Sequence, residues 1–211
     1  MSNFRPTDDS PWFVTIQELR RQCLAVALCS GKTLLDVGCG RGTLKDVVGP
    51  LMTYTGVDME LDNDVPCQPG QPFVQGDVFD YMEGQAASST TWDNVVALEV
   101  IEHVDPRRQR EFLASMWAVT ARRMIFTTVS PHVRHWYPHT DLMVGAHNNP
   151  SHSRELDEHL VRRYIHETLT GYKQVMVLRN WLRSNDETVW DFDGGPCHGY
   201  LIMVEKAGFG S

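Results

Sequence analysis

The nine residues Leu34–Gly42, LLDVGCGRG, constrain this chain more than any other stretch. The apolar run Thr33–Val37 (TLLDV) is bounded by glycines and reads as a short buried strand. Gly38, Gly40 and Gly42 form a turn, and Thr43–Leu51 reads as a helix. Strand, glycine turn and helix in that order open the first crossover of a nucleotide-binding α/β fold. Glycine lets the backbone turn tightly and lets a ligand approach without meeting a Cβ. The N–H groups at the start of the next helix can receive an anionic or polar ligand group. Asp36 stands at the strand's C-terminal end. Asp58, twenty residues after Gly38, ends a second strand over Tyr54–Met59 and suits the two hydroxyls of a ribose. Asp77 lies near the end of a third strand over Phe73–Val78 and suits an adenine amino group. The glycines alone also fit a tight turn with solvated acids. The ordered set of Asp36, the glycines, Asp58 and Asp77 favours a ligand site.

The rest of the chain continues the alternation. Ile16, Leu19, Cys23, Val26 and Ala27 recur at three and four over Thr15–Cys29, an amphipathic helix that Gly31 stops. Asp93–Leu98 and Arg123–Val129 read as strands, and Pro106–Thr120 as the helix between them. Residues 60–72 and 84–91 read as loops, and 153–169 as a helix. Val175–Leu178 and Tyr200–Val204 read as two final strands with no helix between them. The pattern predicts an α/β, Rossmann-like, doubly wound sheet of seven strands, mainly parallel, with an antiparallel C-terminal edge hairpin. At 211 residues the chain is expected to be one domain over 1–211, with a loose lead-in at 1–14. Residues 130–152 are too long for a plain connector and read as an insertion covering the acceptor side.

Composition excludes several classes. Apolar residues are 42% and charged residues 22%, which is globular usage and excludes disorder for the bulk of the chain. Lys and Arg number 19 against 27 Asp and Glu, a net charge of −8, which argues against broad binding of nucleic-acid phosphates. No run of about 18 apolar residues is available for a membrane span. The N-terminal MSNFRPTDDSPW lacks a signal-peptide layout. Five cysteines (23, 29, 39, 67, 197), with no CxxC pair, suit reduced thiols and a cytoplasmic location.

Two further segments carry chemistry. EVIEHVDP follows the fourth strand. If Glu99–His103 begins a helical turn, then Glu99, Glu102 and His103 share a face. Two carboxylates and an imidazole suit one divalent cation, Mg²⁺ or Mn²⁺. The same residues equally fit a pocket cap at Glu99, a solvated Glu102 and a packed His103. The insertion holds His132, His135, His139, His147 and His152 with Arg134, Trp136 and Tyr137. Aromatics can stack an acceptor, and a histidine can act as general base on a hydroxyl.

LLDVGCGRG, GVDM, GDVFD and WDNVVALEVIEHV together resemble the motif series of class I S-adenosylmethionine-dependent methyltransferases. The spacing GxGxG matches that family better than the GxGxxG of NAD-binding proteins. The resemblance implies S-adenosyl-L-methionine as cofactor. Asp36 and the loop Gly38, Cys39 and Gly40 would lie against its methionine portion, and Glu99 would cap the pocket. Asp58 and Met59 would hold the ribose, and Asp77 and Val78 would flank the adenine. The EVIEH segment resembles two subfamilies, the ubiquinone-pathway O-methyltransferases and the enzymes that 2′-O-methylate small-RNA 3′ ends. The second likeness implies a cation held by Glu99, Glu102, His103 and His152. Against it, TTVS and RELD stand where that RNA family has TTPN and FEWT, and NPSHSREL is also similar to methyltransferases of sugars and small metabolites. The expected function is O-methylation of a small polar metabolite, with His103 and His152 as candidate catalytic residues. The alternatives are metal-assisted methylation of an RNA 3′-terminal ribose and a non-catalytic cofactor-binding partner subunit.

Overall fold

The computed structural model describes residues 16–61, 72–129, 156–179 and 199–208. The lead-in at 1–14 and the insertion at 130–152, with His152, lie outside the described residues. In chain order the elements are α1 (Ile16–Leu28), β1 (Thr33–Val37), α2 (Thr43–Val48), β2 (Thr53–Asp58), β3 (Phe73–Gln75), α3 (Val78–Ala87) and β4 (Trp92–Ala97). Then come α4 (Gln109–Ala118), β5 (Thr120–Val129), α5 (Glu158–Thr168), β6 (Tyr172–Arg179) and β7 (Gly199–Lys206). Single 3-10 turns lie at Gly49–Leu51 and Ile101–His103.

These strands form one seven-stranded sheet in the order β3-β2-β1-β4-β5-β7-β6. The first five are parallel, and β7 runs antiparallel between β5 and β6. This is the Rossmann-like, mainly parallel sheet that the alternating pattern predicts, with the antiparallel pair at the C-terminal side. Side-chain alternation splits the apolar residues into two cores. Leu35, Val37, Val95, Ala97, Met124 and Phe126 pack with residues of α3, α4 and α5. Leu34, Val96, Ile125, Leu201 and Met203 pack with Ala25 of α1 and Leu44 and Val48 of α2. A parallel sheet is covered on both faces because each crossover lays a helix on it.

The link from α1 to β1 is pinned to β4 through buried polar groups. Asn94 accepts from the Ser30 N–H at 2.8 Å and donates to the carbonyls of Ser30 and Thr33 at 2.7 and 3.0 Å. That pairing seats β1 and β4 side by side, with Asp36 opposite Val96, so the ends of both strands meet at one sheet edge.

The structure corrects several sequence-based boundaries. The third strand stops at Gln75, not Val78. Asp77 caps α3 instead, accepting from the N–H groups of Phe79 and Asp80 at 2.8 and 3.2 Å. A capped helix start satisfies two donors that a strand end would leave open. The same helix runs through Gly84 to Ala87, into the stretch read as a loop. Helix α2 ends at Val48, because Gly49 has φ +50 and Pro50 cannot donate to a continuing helix. Helix α4 starts at Gln109 rather than Pro106, and β5, β6 and β7 each extend beyond their apolar runs. No helix among the described residues is long and apolar enough to cross a membrane.

Candidate functional site

The site forms where β1, β2 and β4 end. Gly38, Gly40 and Gly42 all take positive φ, at +73, +50 and +72. The turn is held against β2: the Gly38 and Cys39 N–H groups donate to the Val57 carbonyl at 2.8 and 3.2 Å. Asp58 then takes over. Its Oδ2 accepts the Gly40 N–H at 2.8 Å, and its Oδ1 accepts the Glu60 N–H at 3.0 Å. Two backbone donors therefore fix the Asp58 carboxylate beside the glycine turn, and each oxygen keeps a second lone pair for a hydroxyl.

The three glycines differ in what surrounds them. A Cβ at Gly38 would lie 2.5 Å from Val100 Cγ2, and one at Gly42 would lie 2.4 Å from the Phe73 ring. A Cβ at Gly40 would meet no heavy atom within 4 Å. Gly38 and Gly42 are thus required by the protein's own packing, whereas the space beside Gly40 is open. Open space at a glycine leaves room for another group to approach the backbone. Met59, next to Asp58, is an apolar side chain that is 59% exposed. Asp77 is exposed at the start of α3, and its cap uses only Oδ1, while Val78 packs against the core.

Asp36 is buried under the turn and accepts a 2.7 Å hydrogen bond from the Tyr54 hydroxyl. Burial pushes its carboxyl up to about 7; the Tyr54 bond and Arg21 pull it down, and the Asp58 charge adds to the rise. Burial and the Asp36 charge likewise push the Cys39 thiol up, so Cys39 is a neutral lining group rather than a nucleophile.

Glu99 leaves β4 with φ +59, one of two non-glycine residues with positive φ among those described. For an L-residue that conformation costs about 1–2 kcal/mol. Its N–H donates to Thr127 Oγ1 at 2.9 Å, the Thr127 hydroxyl donates to Glu99 Oε1 at 2.9 Å, and Arg21 of α1 lies 3.8 Å from Oε2. This overturns the shared helical face expected for Glu99, Glu102 and His103. Glu99 precedes the 3-10 turn in a left-handed conformation, Glu102 is fully buried inside it, and His103 is exposed. No N–H or hydroxyl of the described residues reaches either Glu102 oxygen. Burial, with the Glu99 carboxylate close enough to repel it and to share its proton, holds the Glu102 carboxyl well above the usual range, so Glu99 and Glu102 are brought together while His103 is not. Among the described residues, no three His, Cys, Asp or Glu side chains are grouped to hold a metal ion. The proposed fourth ligand, His152, lies outside the described residues.

The structure adds residues that the sequence reading missed. Arg21 and Gln22 reach the site from α1, the latter donating to Thr43 Oγ1 at 2.6 Å at the start of α2. Tyr54 and Thr127 sit in strand runs where they read as ordinary strand formers. Only the polar atoms of these side chains, inside otherwise apolar runs, signal another role.

A model for a methyltransferase domain matches residues 13–167. The chain belongs to the methyltransferase-domain family. Among curated proteins it is 33% identical over 110 residues to a mitochondrial ubiquinone biosynthesis O-methyltransferase of Schizosaccharomyces pombe, a match covering 48% of this chain and 39% of that protein. The chain spans about two fifths of the length of the curated relatives it matches. Among solved structures, it has the fold of a SAM-dependent methyltransferase from Archaeoglobus fulgidus, with TM-score 0.63, 18% identity, and 89% of this chain and 91% of that one covered. It also has the fold of a small RNA methyltransferase, with TM-score 0.66, 15% identity, and 99% of this chain but 27% of that one covered. The two likenesses confirm the doubly wound fold of this methyltransferase domain.

Proposed function

We propose that this methyltransferase domain is an S-adenosylmethionine-dependent enzyme that methylates an oxygen of a small polar metabolite. The observation that carries the cofactor assignment is the Asp58 carboxylate held by the Gly40 N–H beside an open Gly40. Asp58 accepts the ribose hydroxyls, while Met59, Asp77 and Val78 border the adenine. Asp36, Cys39 and the glycine backbone line the methionine side, where Glu99 sets negative charge against a cationic ligand. When bound, the cofactor supplies a methyl group activated by its sulfonium. The chain's residues contribute alignment and a dry pocket, which raise the rate by holding the reacting atoms in line. His103 on its 3-10 turn and His152 are the candidate bases for the acceptor hydroxyl. The described residues do not support a metal, and no step here uses one.

The test is methyl transfer from labelled cofactor to a metabolite extract and to total RNA in parallel, with and without a chelator. Label in a small metabolite, unchanged by chelator, is the expected result. Label only in RNA would replace the acceptor assignment, and loss of activity in chelator would restore the metal. Binding of cofactor with no label in either pool would indicate the partner-subunit alternative. In calorimetry, Asp58→Ala should weaken S-adenosylmethionine and its demethylated product alike, by about 1.5–3 kcal/mol per lost charge-assisted bond. Tight NAD binding instead would refute the cofactor.

A further inference from the structure

Thr127 lies in the interior of β5 and is fully buried, yet both bonds made by its hydroxyl go to one residue. Oγ1 accepts the Glu99 N–H and donates to Glu99 Oε1, each at 2.9 Å. Valine has nearly the shape of threonine and suits a buried strand at least as well. The hydroxyl at this position therefore answers a polar need, and Glu99 is that need. At φ +59 beyond the end of β4, Glu99 donates its N–H to this side chain, and a buried backbone donor needs such an acceptor. The same oxygen fixes the carboxylate, whose other oxygen lies 3.8 Å from Arg21. The next residue, Val100, fills the space beside Gly38, so the conformation of Glu99 is tied to the glycine turn as well.

We propose that Thr127 is a positioning residue for cofactor binding, its hydroxyl holding the Glu99 carboxylate toward the cationic methionine portion of S-adenosylmethionine. The proposal rests on the cofactor reading above and adds which buried group sets the orientation of Glu99. A clamp with one atom at the backbone and at the side chain of the same residue leaves the carboxylate little freedom.

The experiment is a double-mutant cycle on the full chain, with S-adenosylmethionine affinity measured by calorimetry and folding by thermal unfolding. Thr127→Val should weaken binding roughly 10- to 100-fold, the loss expected for a hydrogen bond to a charged group. Thr127→Ser, which keeps the hydroxyl, should bind within about twofold of the wild type. Glu99→Gln should weaken binding by itself, and adding Thr127→Val to it should cost less than about twofold more. Thr127→Ala removes the same bonds without a second methyl group and serves the same cycle if the valine variant fails to fold. A fully additive loss in the Glu99→Gln background would overturn the proposal, as would a serine variant no better than valine. Wild-type binding with an indifferent Thr127→Val overturns the proposal alone. A wild type that takes up no S-adenosylmethionine overturns the cofactor reading, and this proposal with it.

Discussion

Asp36 carries a carboxyl to a place where ionising is costly, and Tyr54 is the hydroxyl that eases it. In the unfolded chain an aspartate ionises near its ordinary value of 3.8, whereas in the fold Asp36 keeps its proton until about pH 7. The folded state thus binds more protons across that window. Its contribution to stability is complete below about pH 4 and is lost as pH rises to about 7. Between pH 5 and 7 the loss is on the order of 2–3 kcal/mol, at 1.36 kcal/mol per unit for a group without solvent screening. Urea unfolding at several pH values should show this decline in wild-type protein and a shallower one in Asp36→Asn, whose amide still accepts from Tyr54. Identical pH profiles would mean that Asp36 ionises normally. The buried Glu102, also raised, contributes a decline of the same sign in both proteins.

The glycine turn acts as one element with two duties. Gly38 makes room for Val100, and Gly42 for Phe73, so both serve packing. Gly40 serves the pocket. All three share positive φ, so any substitution carries the left-handed strain of about 1–2 kcal/mol. Gly38→Ala adds a clash at 2.5 Å with Val100 and should lose roughly a further 1–3 kcal/mol of stability. Gly40→Ala has no such clash, should unfold at a higher denaturant midpoint than Gly38→Ala, and should still lose most of its cofactor affinity. Gly40→Ala with unchanged affinity would show that the turn does not touch the ligand. Sequence reading found this turn and the strands around it because glycine spacing and apolar alternation are local signals. It missed α3 because the decisive signal is a single capping side chain, Asp77, that also suits a strand end. It misjudged the Glu99–His103 segment because spacing by three and four implies a shared face only when every residue is helical, and Glu99 is not.

At the scale of the molecule, β1, β2, β4 and β5 run parallel, so Val37, Asp58, Ala97 and Val129 all end at one sheet edge. Ligands in open α/β sheets bind at that edge. Val129, the last described residue of β5, lies at that edge, and the sequence that follows it carries Trp136 and Tyr137. Replacing both by alanine should lower methyl transfer severalfold while leaving cofactor affinity within about threefold. A double variant with the normal transfer rate would remove this segment from the acceptor site. The net charge of −8 belongs to the same scale and counts against broad, sequence-independent binding of a phosphate backbone.

The sequence alone determined the order of the strands, the two-sided sheet and the glycine turn with Asp36 and Asp58 at the ends of its neighbouring strands. Each of these follows from local periodicity, or from a residue type that the backbone demands at one position. The tertiary structure decided which carboxylates share a pocket and which are sealed away. Arg21 meets Glu99 across 78 residues of chain, and Thr127 meets it across 28, through contacts that no spacing rule encodes. Glu102 and His103, adjacent in sequence, part company at the 3-10 turn, one buried completely and the other exposed. Burial depends on what packs from elsewhere in the chain, and burial is what raises the carboxyls of Asp36 and Glu102.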